Sequence, residues 1–109
     1  MATKPIARIG DAVSGVCFAH GSTRGWNGVI GSGSSTFTCD GIGVARVGDV
    51  GVTDCGHYFK ITAGSSVCSN AGIPVSRKDD GVTVYSDAAR TVFCGVGTIQ
   101  AGSSVGSSE

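Results

Sequence analysis

The chain has 109 residues, enough for one small domain, and its eight basic and eight acidic residues leave no net charge. That balance provides neither a basic stripe for nucleic acid nor a polybasic patch for a membrane surface, and no apolar run approaches the ~20 residues of a membrane span. Nineteen glycines and only seven aromatic residues make a conventional core thin, so a staple is expected: a disulfide, a metal or a partner.

The N-terminus, Met1-Ala2-Thr3-Lys4-Pro5, has no apolar h-region, so a protein made in the cytoplasm and leaving it only as cargo is expected. It enters at once the phrase Pro5-Ile6-Ala7-Arg8-Ile9-Gly10-Asp11. That phrase returns as Gly43-Val44-Ala45-Arg46-Val47-Gly48-Asp49 and again as Pro74-Val75-Ser76-Arg77-Lys78-Asp79-Asp80. A second phrase follows each copy: Gly33-Ser34-Ser35, Gly64-Ser65-Ser66 and Gly102-Ser103-Ser104. The arginines step by 38 and then 31 residues, the Gly-Ser-Ser triplets by 31 and then 38. Such self-similarity predicts a repeat architecture: three arms, roughly 5–42, 43–72 and 73–109, around one pseudo-threefold axis in a single domain.

Between these phrases, short alternating segments read as strands: Ile6 to Ile9, Thr36 to Cys39, Val44 to Val47 and Val82 to Tyr85. Gly-Asp after an extended segment suits a chain reversal, and Asp40-Gly41 and Asn70-Ala71-Gly72 suit hairpin turns. Helical periodicity is absent; Ser86 to Thr91 makes one turn at most, and Thr83 to Phe93 has no counterpart in the other copies. The predicted fold is all-β, with one chain folding three arms that cannot bury their faces singly.

Five cysteines are an odd number, and in a reducing compartment they favour metal binding over a disulfide framework. Cys39 and Cys68 follow the Gly-Ser-Ser serines at offsets of like parity, so both are expected on one face as small buried apolar groups. The other three lie elsewhere in the repeat. Cys17 and Cys55 each follow a repeat aspartate by six residues, with His20 and His57 close behind, and Cys94 occupies the matching region of arm three. Threefold packing brings these loops together, and thiolate and imidazole are ligands that zinc selects, four to a closed tetrahedral site. His20, His57 and Cys94 give one ligand per arm, with Cys55 or Cys17 as the fourth. Asp54 lies nearby, but no glutamate or third histidine accompanies it, so the expected zinc is structural rather than catalytic.

These motifs resemble the PAAR-repeat family, named for a Pro-Ala-Ala-Arg phrase before Gly-Asp; the copies here are Pro5-Ile6-Ala7-Arg8, Gly43-Val44-Ala45-Arg46 and Pro74-Val75-Ser76-Arg77. The resemblance covers almost the entire chain. It implies a small β-rich cone, with a zinc held by His and Cys near its point. It also implies that one copy sits on the blunt end of a trimeric spike, either a VgrG-like protein of a type VI secretion system or the central spike of a contractile phage tail. The sequence stops five residues past the third Gly-Ser-Ser, so no toxin domain and no enzymatic activity are expected. The expected role is mechanical: sharpening the spike, which punctures a target cell envelope in transient contact with its membrane. The alternative is an adaptor that docks effectors or cargo onto the spike. A small zinc hydrolase is the least favoured reading.

Overall fold

The computed structural model describes residues 4–18, 21, 23–39, 41–66, 68–70 and 72–103, and the backbone of 107 and 108. Among the described residues there are twelve strands: β1 (Lys4–Pro5), β2 (Ala12–Cys17), β3 (Arg24–Ile30), β4 (Thr38–Cys39), β5 (Ile42–Gly43), β6 (Val50–Thr53), β7 (Tyr58–Ile61), β8 (Ser69–Asn70), β9 (Ile73–Pro74), β10 (Gly81–Tyr85), β11 (Phe93–Ile99) and β12 (Ser107–Ser108). Among the described residues there is no helix, and Ser86–Thr91 is a bent loop. The fold is all-β, in a body measuring 40 × 25 × 23 Å.

The repeated phrase meets its own copies at the centre. The Ala7 N–H donates to Ser76 O (3.0 Å), the Ser76 N–H to Ala45 O (2.9 Å) and the Ala45 N–H to Ala7 O (2.9 Å). Three equivalent residues thus bond in a closed cycle, and all three are fully buried. Only small side chains fit where three backbones converge, which accounts for Ala, Ala and Ser at this position. A second cycle runs alongside: the N–H groups of Ile9, Val47 and Lys78 donate to Gly43, Pro74 and Pro5 (2.9, 2.9 and 2.8 Å). The segments Ile6–Ile9 and Val44–Val47 are therefore bridges between arms rather than the continuous strands expected, because each residue's partner lies in a different arm. The Gly-Ser-Ser serines lock the same centre, since the N–H groups of Ser34, Ser65 and Ser103 donate to Val44, Val75 and Ile6, each at 2.8 Å.

Each phrase closes in a reversal that pairs its charged ends. Asp11, Asp49 and Asp80 accept the backbone N–H of Arg8, Arg46 and Arg77 (2.8, 2.7 and 2.7 Å). Their carboxylates also meet the guanidinium groups, at 3.1 Å for Arg8–Asp11, 3.6 Å for Arg46–Asp49 and 2.9 Å for Arg77–Asp80. These hydrogen bonds let three aspartates lie nearly buried. Gly10 and Gly48 take φ of +90° and +95°, and in the third copy Asp79 holds the same left-handed turn at +75°.

Beyond each reversal the chain runs out and back as a long hairpin: β2–β3, β6–β7 and β10–β11. The three hairpins close into one barrel, ordered β10-β11-β2-β3-β6-β7. Thr83 to Phe93 accordingly does have counterparts: it forms the outer half of the third hairpin, with a register shift at Val84/Tyr85. The barrel interior is filled mainly by Trp26 and Phe59, stacked with centroids 5.5 Å apart, with Val13, Ile30, Ile61, Val84 and Ile99 around them. Two large rings fit because glycines face them: a Cβ on Gly97 would lie 2.6 Å from Trp26 Cζ2 and 2.5 Å from Ser14 O, and one on Gly51 would overlap the Phe59 ring.

At the opposite end the chain forms three small two-stranded sheets, β1–β12, β4–β5 and β8–β9. They enclose Ile6, Val44 and Val75, against which Phe37, Cys39 and Cys68 pack half-buried. The two cysteines face this cluster from unlike places. Cys68 matches Phe37, since their carbonyls accept the N–H of Val75 and Val44 (3.0 Å each), whereas Cys39 matches Asn70 in strand register.

The glycine-for-volume exchange in the barrel is testable by chemical denaturation. Gly97→Ala is expected to destabilise by about 1–3 kcal/mol through overpacking against Trp26 and strand backbone. Gly81→Ala, whose new Cβ approaches nothing nearer than Thr62 Oγ1 at 4.0 Å, is expected to stay within about 0.5 kcal/mol of the parent.

Candidate metal centre

The mouth of the barrel farthest from the small sheets is where β2 ends and β3 begins and where the other two long hairpins turn, over residues 54–57 and 86–92. Cys17 ends β2 and points inward, fully buried; Cys94 lies near the start of β11 and is 7% exposed. Antiparallel pairing puts Cys17 opposite Gly95, the residue after Cys94, so the two thiols meet inside. His57 comes from the second hairpin, whose tight turn is closed by Thr53: its N–H donates to His57 O (2.9 Å), and its Oγ1 accepts the His57 N–H (2.9 Å). Each arm contributes one group.

The geometry is that of a coordination shell. Cys17 Sγ is 3.7 Å from Cys94 Sγ and 3.2 Å from His57 Nδ1, and Cys94 Sγ is 3.8 Å from the same nitrogen. A zinc ion with Zn–S near 2.3 Å and Zn–N near 2.0 Å places tetrahedral ligands about 3.8 Å apart for two sulfurs and about 3.6 Å for sulfur and nitrogen. The three side chains bracket those values, so they fit a metal without rebuilding. Cys55 stands beside them, its Sγ 3.7 Å from His57 Nδ1 and 3.0 Å from Thr53 Oγ1. Of the five candidate ligands, Cys17, His57 and Cys94 converge and Cys55 adjoins them. His20 lies outside the described residues.

Burial pushes the Cys94 thiol up to about 12, helped by the hydrogen bond to Cys17 and the neighbouring charges of Cys17 and Cys55. The Cys94 thiol is therefore held protonated unless a cation lies beside its sulfur, as a bound divalent ion would.

Two groups that support the site carry no signal in spacing or motif. Asp87 organises the third loop: its carboxylate accepts the Thr91 hydroxyl (2.5 Å) and the N–H groups of Thr91 and Val92 (2.9 Å each). Arg90, at φ +59°, lies over the Tyr58 ring and donates to Phe59 O (3.1 Å) and Gly51 O (3.2 Å), tying the loop to the second arm. Together they fix the approach of Phe93 and Cys94.

Comparison with known families gives a direct result: the PAAR motif model matches residues 20–85, well over half of the chain. The chain belongs to the PAAR motif family. No curated protein matches it. The match spans the first Gly-Ser-Ser segment, the second and third repeat phrases, and His57 and Cys55 of the barrel mouth. A PAAR assignment places the chain in a spike-associated family, and its Cys-His-Cys group is one that can bind a metal.

Two measurements test the site. Purified without added metal, the protein is expected to carry about one metal ion per chain. His57→Ala and Cys94→Ser are each expected to lose it with a lower Tm, while Cys39→Ser keeps it. Stoichiometric metal in both site variants would remove the assignment.

The second concerns Asp87, whose hydrogen bonds to Thr91 and Val92 hold its pKa down to about 2, from 3.8. A depressed carboxylate pKa means that the bonded loop is favoured above the unfolded value and that this preference is lost as pH falls through the folded one. The Thr91 and Val92 amide shifts are therefore expected to stay native at pH 3 and to move only towards about pH 2.

Proposed function

We propose that this PAAR protein caps and sharpens the end of a trimeric central spike, one copy per trimer, as part of a contractile machine that punctures a target envelope. The observation that carries this reading is the closed cycle at Ala7, Ala45 and Ser76, by which one chain presents near-threefold symmetry. A single chain of this kind can satisfy three equivalent subunits at once, whereas an asymmetric one leaves two of them mismatched.

The small sheets supply the means of attachment. The barrel is closed and has no free edge, whereas β1–β12, β4–β5 and β8–β9 are two-stranded and keep open edges at one end of the body. Edge strands accept further strands through main-chain hydrogen bonds, so a spike ending in β-structure can continue into this end. The opposite end, with its Cys-His-Cys group, then becomes the point. In this reading zinc acts as a structural staple, no residue performs chemistry, and the protein travels on a phage tail tip or is exported by an injection system such as a type VI apparatus.

The adaptor reading draws on the side wall, where Val29 and Val52 face each other across β3 and β6, 54% and 57% exposed. One experiment separates the two. Native mass measurement of the complex with a trimeric VgrG-like or phage spike is expected to give one chain per three spike chains. Ile42→Lys, on the half-exposed β4–β5 hairpin, is expected to weaken capture about tenfold with Tm unchanged. Two or three copies per trimer would overturn the capping reading. Assembly and penetration that survive Val29→Asp/Val52→Asp while cargo delivery is lost would favour the adaptor.

A further inference from the structure

The barrel mouth holds thiols in a second chemically meaningful relation. Cys17 and Cys94 Sγ are 3.7 Å apart on adjacent antiparallel strands, with both side chains directed into the same interior. A disulfide needs an S–S distance near 2.05 Å, so each sulfur has to move by less than about 1 Å. An open cleft of about 380 Å³, lined by Phe18, Ser86, Val92, Phe93 and Cys94, leads to this pair from outside. A small reagent entering it meets Cys94 first, with Cys17 behind. Cys39 and Cys68 belong to the other hydrophobic cluster, among the small sheets.

We propose that Cys17 and Cys94 form a disulfide whenever no metal holds them, and that this bond and a metal exclude each other at the barrel mouth. The exclusion rests on the metal reading; the bond itself does not. The oxidant is a small disulfide. The small thiolate fraction of Cys94, favoured by alkaline pH, attacks one oxidant sulfur, forming a mixed disulfide and releasing one thiol. The Cys17 sulfur then gives up its proton and attacks the Cys94 sulfur, expelling the second thiol. The two cysteines lose two hydrogens and two electrons become shared in the new S–S bond, while the oxidant is reduced to two thiols. The bond removes two of the three converging ligands, leaving His57 and Cys55 for a metal. In the other direction, a bound metal engages both sulfurs and blocks the attack.

The test uses the full chain, freed of metal by a chelator under reducing conditions and then exposed to oxidised glutathione until reaction ceases. Peptide mapping without reduction is expected to show Cys17 joined to Cys94, with Cys39 and Cys68 unlinked. Zinc-loaded protein is expected to react at least about tenfold more slowly, and oxidised protein to take up less than about a tenth of the zinc bound by reduced protein. The Cys55→Ser variant is expected to keep the same link. A link through Cys55, or glutathione left on Cys94 unresolved, would overturn the pair. Equal zinc uptake by oxidised and reduced protein would overturn the exclusion. Should the reduced protein bind no zinc at all, the metal reading and the exclusion fall together, while the peptide map still decides the disulfide.

Discussion

Everything in this molecule hangs on three backbone hydrogen bonds that close on themselves. Ala7, Ser76 and Ala45 each donate to the next, so no arm is satisfied until both others are in place. A buried N–H left without its acceptor carries the full desolvation penalty, on the order of 1–3 kcal/mol, which makes the cycle all-or-none in character. The cycle sets the composition around it. Residues at the axis must be small, and each aspartate must return to neutralise the largely buried arginine just beyond the axis. The recurrent sequence phrase records these two demands at one spot.

The barrel follows from the same centre. Three chains leaving one axis at similar angles diverge as hairpins, and hairpins that start side by side pair at their flanks until the sheet closes. Closure removes every free edge along the walls, so strand pairing remains available only at the small sheets. The interior is too narrow for a full complement of large side chains. Trp26 and Phe59 fill it, and Gly51 and Gly97 face them. Most glycine-rich small chains lose a core by that composition; here the glycines are the space into which two aromatic rings pack.

How much of this was legible in the sequence follows from which residues act locally. The Gly-Asp reversals were readable because turn chemistry is confined to neighbours; the third copy, with Asp79 in the glycine position, was not, although Asp79 takes the same left-handed conformation and its N–H donates to Ile99 O as Gly10 and Gly48 donate to Ile30 and Ile61. The threefold arrangement was readable from the repeat. The inter-arm bridges were not, because alternation in Ile6–Ile9 looks the same whether the partner strand belongs to one neighbour or to two. Thr83 to Phe93 looked unlike the other arms because its loop is longer and bulged, although its strands do the same work. At the metal centre, residue type and repeat position singled out the candidate set, including Cys17, His57 and Cys94. Spacing could not rank Cys17 against Cys55, since both stand six residues past an aspartate; the difference arises because β2 runs to Cys17 as strand while the second hairpin turns two residues before Cys55.

The placement of the soft ligands has an energetic logic that a metal site within one hairpin lacks. The backbone cycle holds the arms together at one end, and the hairpins reach their turns far from it. Residues 17 and 94 are separated by 77 positions, and His57 comes from the arm between them. A cation joining these three groups closes long loops rather than short ones, and the loop-closure entropy that it offsets grows with their length. Its binding free energy also counts directly toward folding, because the shell exists only when all three hairpins are docked. With a metal bound, the arms would be fastened at both ends, by hydrogen bonds at the axis and by the Cys-His-Cys group at the mouth. The aromatic pair fills the span between them, so stiffness along the body depends on neither fastening alone.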